Sequence, residues 1–579
     1  MGRKACASDK RRKGAPIPRR SDMGGSRTSS GDRACDFDVI VVGAGFAGLY
    51  MIHKLRQMGM SVRAYEAADD VGGVWYWNRY PGARCDVESM QYSYGFSEEL
   101  QQEWNWTERF AQQPEILAYI QHVADRFELR SAIQFKTRVE AASFDEPTAS
   151  WTVTTDRGDR VTAPFLVMAS GSLSTARLPD ICGIEDFGGR FYHTGQWPAH
   201  KIDFSGRRVG VVGTGSSGVQ AIPMIAREAE HVYVFQRTPN FVIPARNRPL
   251  DDEGQRKWKD RYPEHRARAK QVGTFYEFSD RSAMDVSEDE RRAEYDRRWA
   301  EGGVNFVHSF KDIYLNEESN KTAADYVRER IRSIVNDPEV AEKLCPKDHP
   351  LGTKRICVGS DYYETYNRDN VTLIDLRSEP IDRILSGGVR TAAAVYAIDT
   401  LVFATGYDAL TGALTAIDIR GRDGVALKDK WEHGPQNYLG LMTAGFPNMF
   451  IITGPGSPSV LVNMIVGIEQ HVEWIADCIQ HLRASGFDTI EAARTAEQDW
   501  VRHVNEEADK TLFPRANSWY IGANVPGKPR VFLPYTAGIG RYRKTCEDVA
   551  AAGYRGFVLG TAPAKQGRGD HQDRRQAVA

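Results

Sequence analysis

A β-branched run breaks into three closely spaced glycines at two places in this chain, and each time a helix-forming stretch and a second apolar run follow. The first begins with Phe37-Asp38-Val39-Ile40-Val41-Val42, then Gly43-Ala44-Gly45-Phe46-Ala47-Gly48. Near-continuous apolar character suits a strand buried in a parallel sheet. Residues 49–58 have helical character, and a second strand over 61–66 ends in Glu66. In that setting Gly43 permits the tight turn, Gly45 lets a pyrophosphate approach the backbone, and Gly48 lets helix and strand pack closely. The free N–H groups at the helix start favour phosphate. Glu66 is placed to hydrogen-bond ribose hydroxyls, which suits an adenosine without a 2′-phosphate. A glycine-rich turn that binds nothing is the bland alternative, and the agreement of strand, helix and terminal acid argues against it.

The pattern recurs. Arg208-Val209-Gly210-Val211-Val212 runs into Gly213-Thr214-Gly215-Ser216-Ser217-Gly218 and a helix through Ala226. The next strand, 231–236, ends not in an acid but at Arg237-Thr238. An acid would repel a 2′-phosphate, whereas an arginine fork grips one. The contrast assigns FAD to the first unit and NADPH to the second, the alternative being a surface arginine at a strand end. Phe165 to Gly171 and Thr400 to Gly406 are two further apolar strands ending in small residues, read as re-entries into each sheet. The expected fold class is α/β, with two Rossmann-like dinucleotide-binding domains and a helical insertion.

The expected boundaries are a disordered basic tail over 1–35, an FAD-binding part over 36–174 and an NADPH-binding part over 175–243. A helical insertion follows over 244–350, then NADPH-binding residues 351–398, FAD-binding residues 399–561 and a disordered tail over 562–579. Within the insertion Ser287-Glu288-Asp289-Glu290 reads as a capping box. Thr322 is expected to open a helix carrying Val327, Ile331, Ile334 and Val335 at helical spacing. This insertion is expected to help shape a substrate cavity.

Composition narrows the class of function. With 41% hydrophobic residues among 579, a large core is affordable. Lys and Arg number 75 against 77 Asp and Glu, so nothing indicates a coat for nucleic acid or anionic membrane. No apolar run approaches the roughly 20 residues that span a bilayer. Arg19-Arg20-Ser21 lacks the apolar stretch of an export signal. The eight cysteines include no CxxC, which disfavours a disulfide reductase and fits a reducing cytosol.

Two longer signatures add a resemblance. Phe187-Gly188-Gly189-Arg190-Phe191-Tyr192-His193-Thr194-Gly195-Gln196-Trp197-Pro198 fits F-x-G-x-x-x-H-x-x-x-W-P, in what reads as an interdomain linker. Gly72-Gly73-Val74-Trp75 followed by Tyr80-Pro81-Gly82 and Asp86 fits G-G-x-W-x-x-x-x-Y-P-G-x-x-x-D. In both, and from about Asp36 to Leu559, the chain resembles type I Baeyer–Villiger monooxygenases, closest to the phenylacetone and steroid branch.

The resemblance implies a reaction of O2 with a hydrophobic ketone through an FAD C4a-peroxide, giving an ester or lactone. It implies Arg355 as the catalytic arginine with Asp86 as its carboxylate partner. Lys354, with Arg237 and Thr238, would meet the NADPH phosphate. Trp75 would belong to the cofactor-binding surface, and Trp519 would close over the nicotinamide cofactor. His193 and Trp197 would couple domain movement to the site, although a structural histidine is the plain alternative. Ser459, Val460 and Leu461, with Val462, would offer apolar surface to the substrate. No metal, nucleic acid or protein partner is implied. The rivals are an N- or S-oxygenating flavoenzyme and a redox-sensing protein that binds both nucleotides without turnover.

Overall fold

The computed structural model describes residues 35–561. Apart from Cys35, the tails expected over 1–35 and 562–579 lie outside the described residues. Each glycine run sits at the centre of its own five-stranded parallel sheet. In the first, Val39–Val42 lies between Val62–Tyr65 and Phe165–Met168, with Ile133–Gln134 and Met449–Ile451 at the edges. In the second, Arg208–Val212 lies between His231–Gln236 and Thr400–Phe403, with Val371–Asp375 and Arg190–His193 at the edges. All four central residues Val39, Ile40, Val41 and Val42 are buried, which is why that run carries no polar alternation.

The plan is therefore the same twice over. Each half also inserts small antiparallel ribbons before its re-entry strand: Val139–Asp145, Ser150–Thr155 and Arg160–Ala163 in the first, Ile381–Leu385, Gly388–Thr391 and Val395–Ala397 in the second. The halves differ in one edge strand. Met449–Ile451 comes late in the chain, whereas Arg190–His193 precedes its glycine strand.

Two expectations change here. The boundary at 399 falls one strand early, because Thr400–Phe403 pairs with Arg208–Val212 in the second sheet. The F-x-G-x-x-x-H segment is not a free linker, because Arg190–His193 pairs with Thr400–Phe403 as a sheet edge.

Close backbone packing explains the glycines and the small residues opposite them. Gly43 and Gly213 have φ of +105° and +109°, and a Cβ on either would stand 2.5 Å from the carbonyl oxygen of Ala169 or Ala404. Those alanines belong to the two re-entry segments, so turn and re-entry strand specify one another. A Cβ on Gly48 or Gly218 would meet the carbonyl oxygen of Gly43 or Gly213 at 1.9 or 2.2 Å.

The helical insertion serves both cores. Tyr262 and Ala269, on the helix Tyr262–Val272, pack into the core of the first sheet. Tyr295 and Trp299, on Glu288–Glu301, and Val327 and Ile331, on Glu317–Ile334, pack into the core of the second. The capping box forms as expected, with the Glu290 N–H donating to Ser287 Oγ and the Ser287 N–H to Glu290. The next helix opens earlier than Thr322: Asn316 caps it by accepting from the Ser319 N–H at 3.0 Å. No described helix is long and apolar enough to cross a membrane.

The glycines separate packing from binding in a measurable way. Gly218→Ala should cost about 1–3 kcal/mol, the usual range for overpacking, and lower the thermal midpoint in a fluorimetric melt. A Cβ on Gly215 meets nothing within 4 Å. Gly215→Ala should therefore melt like the parent while weakening nucleotide binding. Equal thermal losses for both would contradict this division.

Candidate active site

Cys85 and Val87 are buried in the first core, while Ile356 and Cys357 are buried in the second. Between these anchors, Asp86 and Arg355 face one another. Arg355 Nε donates to Asp86 Oδ2 at 2.9 Å and Nη2 to Oδ1 at 2.8 Å, a bidentate pair. Nη1 donates to the Val460 carbonyl oxygen at 2.6 Å. The Arg355 side chain is 28% exposed, so it retains an accessible surface. Burial alone would lower its pKa, but the Asp86 charge and hydrogen bonds outweigh it and hold the guanidinium well above its ordinary value.

The neighbours are neutral. Burial pushes the Cys85 thiol up, and the Cys357 thiol up to about 12. Burial likewise raises the Tyr520 phenol to about 12, against the lowering influence of Arg355 beside it. Neither thiol is poised as a nucleophile.

Val460 enters an apolar cluster with Leu410, Phe513, Tyr520, Phe532 and Leu533, against which Leu461 and Trp519 pack. Trp519 is half-buried at the start of a single 3-10 turn, its ring 4.4 Å from that of Tyr520. Ser459–Leu461 is also a 3-10 turn rather than an open loop. Ser459 is buried with φ of +41°, and its hydroxyl donates to the Thr453 carbonyl oxygen. It thus supports the turn rather than adding apolar surface, while Val460 and Leu461 pack with the apolar cluster.

The signature from Gly72 to Asp86 works as a strap between the halves. Trp75 is buried and donates its indole N–H to the Tyr92 hydroxyl at 3.2 Å. Tyr80 belongs to the second core and donates its hydroxyl to Gln220 Oε1 at 2.8 Å. Gln220 lies on the second glycine helix, Ser216–Glu228, and donates back to the Arg84 carbonyl oxygen. A Cβ on Gly82, whose φ is +80°, would stand 2.5 Å from the Gln220 carbonyl oxygen.

His193 sits in a different place from Arg355's partners. Its Nδ1 accepts from the Gly195 N–H at 3.0 Å, and Nε2 lies 3.4 Å from Thr405 Oγ1. Burial lowers its pKa, opposed by a hydrogen bond to the Arg177 carbonyl, so it is neutral. Trp197 is buried in the second core, and its backbone N–H donates to the Trp77 carbonyl oxygen at 3.1 Å.

Both nucleotide cradles fit their expected occupants. The helices Phe46–Gln57 and Ser216–Glu228 have neither a side-chain cap nor an acid in the first turn, leaving their N-terminal N–H groups for an anion. Glu66 accepts from the Ala44 and Ala68 N–H groups, each at 2.8 Å, which fixes its carboxylate beside the first turn. Each of its oxygens keeps a lone pair for a ribose hydroxyl. In the second cradle, the Arg237 side chain makes no hydrogen bond or ion pair among the described residues, and it is exposed. Thr238 accepts from Thr214 Oγ1 through its carbonyl. Lys354 is half-buried; burial lowers its pKa, Asp348 opposes this, and Arg237 and Arg377 lower it further.

Sequence reasoning did not single out Gln220, Tyr520 or Gln91. Gln91 joins separate segments, accepting from Thr274 and from the Phe275 N–H through Oε1, and from Asn463 through its carbonyl. Only Tyr520 carried a signal, its place beside Trp519.

The flavin-binding monooxygenase-like family matches residues 37–253. The chain is 44% identical to the 2-oxo-Δ3-4,5,5-trimethylcyclopentenylacetyl-CoA monooxygenase of Pseudomonas putida, covering 90% of this chain and 98% of that one. It is also 44% identical to a Baeyer–Villiger monooxygenase of Pseudooceanicola batsensis, covering 90% and 96%. A solved structure of oxidized steroid monooxygenase bound to NADP superposes with a TM-score of 0.87 at 53% identity, covering 90% and 99%. With sequence and fold shared over nearly the full length of these proteins, the chain belongs to the Baeyer–Villiger monooxygenases of the flavin-binding monooxygenase-like family.

Proposed function

We propose that this chain uses NADPH and O2 to insert one oxygen atom beside the carbonyl of a hydrophobic ketone, giving an ester or lactone. The observation that carries this reading is the Asp86–Arg355 pair, flanked by residues buried in the two cores and joined to the Val460 turn. When bound, FAD takes electrons from NADPH and activates O2.

The chain's own residues then do electrostatic and positioning work. Arg355 remains cationic throughout, so it acts as a fixed charge for the negative charge that develops on the ketone oxygen, not as an acid. Preorganised donors of this kind are worth roughly 3–4 kcal/mol. Asp86 holds the guanidinium plane, and the Val460 carbonyl fixes a third N–H. The apolar cluster of Val460, Leu410, Tyr520 and Phe532, with Trp519, excludes water from the reacting atoms. Glu66 positions FAD; Arg237, Thr238 and Lys354 position the NADPH phosphate. His193 and Trp197 act at a distance, through the contacts between the halves.

For the substrate, the names of the two relatives concern a substituted cyclopentenyl acetyl-CoA and a steroid. The site's apolar walls suit aryl, cyclic or steroid-like ketones, bound by burying area at roughly 25 cal/mol per Å2. Such binding discriminates weakly, since one methylene is worth only about 1–3 kcal/mol. The free cysteines among the described residues fit a reducing cytosol.

The reaction itself is tested by turnover under 18O2 with a panel of cyclic ketones. One labelled oxygen is expected in the new ester linkage, not the carbonyl. Label in a hydroxyl on an intact ketone, or only hydrogen peroxide across the panel, would overturn the reading.

Arg355→Ala should retain FAD yet lose about 10²–10³ in ester formation, the loss typical of one oxyanion donor. Asp86→Asn should fall in the same direction by less, because it acts through Arg355. Product chromatography against flavin absorbance measures both, and normal ester yield in Arg355→Ala would remove that residue from the reaction. Arg237→Ala should raise the KM for NADPH about ten- to a hundredfold, the worth of one charge-assisted bond, and leave NADH little changed. An equal loss for both nucleotides would take Arg237 out of the phosphate site.

A further inference from the structure

The second sheet ends in more positive charge than the Arg237–Lys354 reading uses. Strands His231–Gln236 and Val371–Asp375 are adjacent and parallel, with Gln236 opposite Asp375. The Leu376 N–H donates to the Gln236 carbonyl oxygen at 2.8 Å, extending the ladder by one residue. Arg237 and Arg377 therefore emerge side by side at the carboxyl ends of neighbouring strands, where open α/β sheets take their ligands.

Arg377 is tied to this place by two bonds. Its Nε donates to the Arg237 carbonyl oxygen at 2.9 Å, and its Nη2 to Asp348 Oδ2 at 2.6 Å. The Arg377 side chain is 44% exposed, and two of its five N–H donors are used in these contacts. Asp348 also meets His349, whose Nδ1 lies 2.7 Å from Asp348 Oδ1. Asp348 is thus the carboxylate lodged among Arg377, Lys354 and His349. Those neighbours hold it down at about 2, the His349 contact most, so it is ionised at any working pH.

We propose that Arg377 is a third cation of the nucleotide 2′-phosphate site, and that Asp348 is a resident counter-ion whose place the phosphate partly takes. The geometry supports both roles. The Arg237 side chain, with no hydrogen-bond or ion-pair partner among the described residues, is the free arm, whereas Arg377 grips the backbone of Arg237 and so presents a fixed fork beside it. A carboxylate already sharing that fork lowers the charge repulsion among Arg237, Arg377 and Lys354 before a nucleotide arrives. It also competes with the phosphate afterwards. This rests on the assignment of the second glycine unit to NADPH, and adds two residues that decide its specificity.

The test is calorimetric titration of the FAD-containing protein with NADP+ and NAD+, so that no turnover is needed. Arg377→Met should weaken NADP+ about tenfold and NAD+ less than twofold, as expected for loss of one exposed charge-assisted contact. Arg377→Lys keeps the charge without the fork, and should lose less than Arg377→Met. Asp348→Asn removes the resident anion, and should tighten NADP+ by a few-fold with NAD+ unchanged. Parallel losses for both nucleotides in Arg377→Met, with FAD content intact, would make Arg377 a scaffold residue and overturn its role. Weaker NADP+ binding in Asp348→Asn would overturn the counter-ion. Parent protein that binds NADP+ and NAD+ alike would instead overturn the assignment of the second unit to NADPH, a separate failure.

Discussion

The carboxylate of Asp86 and the guanidinium of Arg355 stand 269 residues apart in the chain, yet share two hydrogen bonds between the two cores. Their flanking residues are buried on opposite sides, Cys85 and Val87 in the first core, Ile356 and Cys357 in the second. Wherever this pair sits, the halves must meet. Such a pair is a poor way to gain stability, because desolvation consumes most of the Coulomb attraction. Its value lies in fixing a charge in space. The strap from Tyr80 to Asp86 carries the load instead, with Tyr80 and Gly82 closed onto Gln220 and the second glycine helix. One loop thus reaches the second nucleotide helix with its first residues and Arg355 with its last.

The doubled plan gives the molecule two crossings between its sheets, one before Arg190 and one after Phe403. These crossings are tied to one another. Thr405 donates its hydroxyl to the Arg177 carbonyl oxygen at 2.9 Å, and the Arg177 N–H donates to that of Gly406. A Cβ on Gly195 would lie 2.6 Å from the Tyr407 ring. Tyr407 in turn donates to Asn78 Oδ1, inside the Gly72–Asp86 signature. His193 sits at this junction, hydrogen-bonded to both crossings while neutral. Its hydrogen bonds go to these crossings and not to Arg355.

What was legible in the sequence was local. The glycine turns, the capping box at Ser287 and the acid–arginine contrast between Glu66 and Arg237 each depend on residues within one unit of chain. The Arg355–Asp86 contact was legible only through family resemblance, since no spacing links positions so far apart. Contacts set by distant packing were not legible. The boundary at 399 puts Thr400–Phe403 with the FAD-binding residues because an apolar strand does not announce its neighbour. Arg190–His193 looked like a linker because an edge strand with an exposed Phe191 carries a weak pattern. The antiparallel ribbons alternate too briefly to stand out. Gln220 and Gln91 are ordinary polar residues until the fold brings carbonyls and hydroxyls to them.

Neighbouring residues show why this centre needs an arginine. Lys354 and Arg355 are consecutive and both lie partly buried. Burial moves Lys354 downward, toward losing its charge, and the adjacent arginines push it further. At the proposed phosphate site an arriving phosphate would reverse that shift, so a titratable amine is adequate there. In the proposed reaction Arg355 must be charged before any anion exists. A lysine so buried would tend to give up its proton, and would then offer a nucleophilic amine where an electrophilic ketone binds. The guanidinium escapes this through its higher intrinsic pKa and a planar fork that Asp86 can fasten along one edge. The carboxylate thereby sustains the charge and fixes its direction, and the Val460 carbonyl ties the same fork to the Ser459–Leu461 turn.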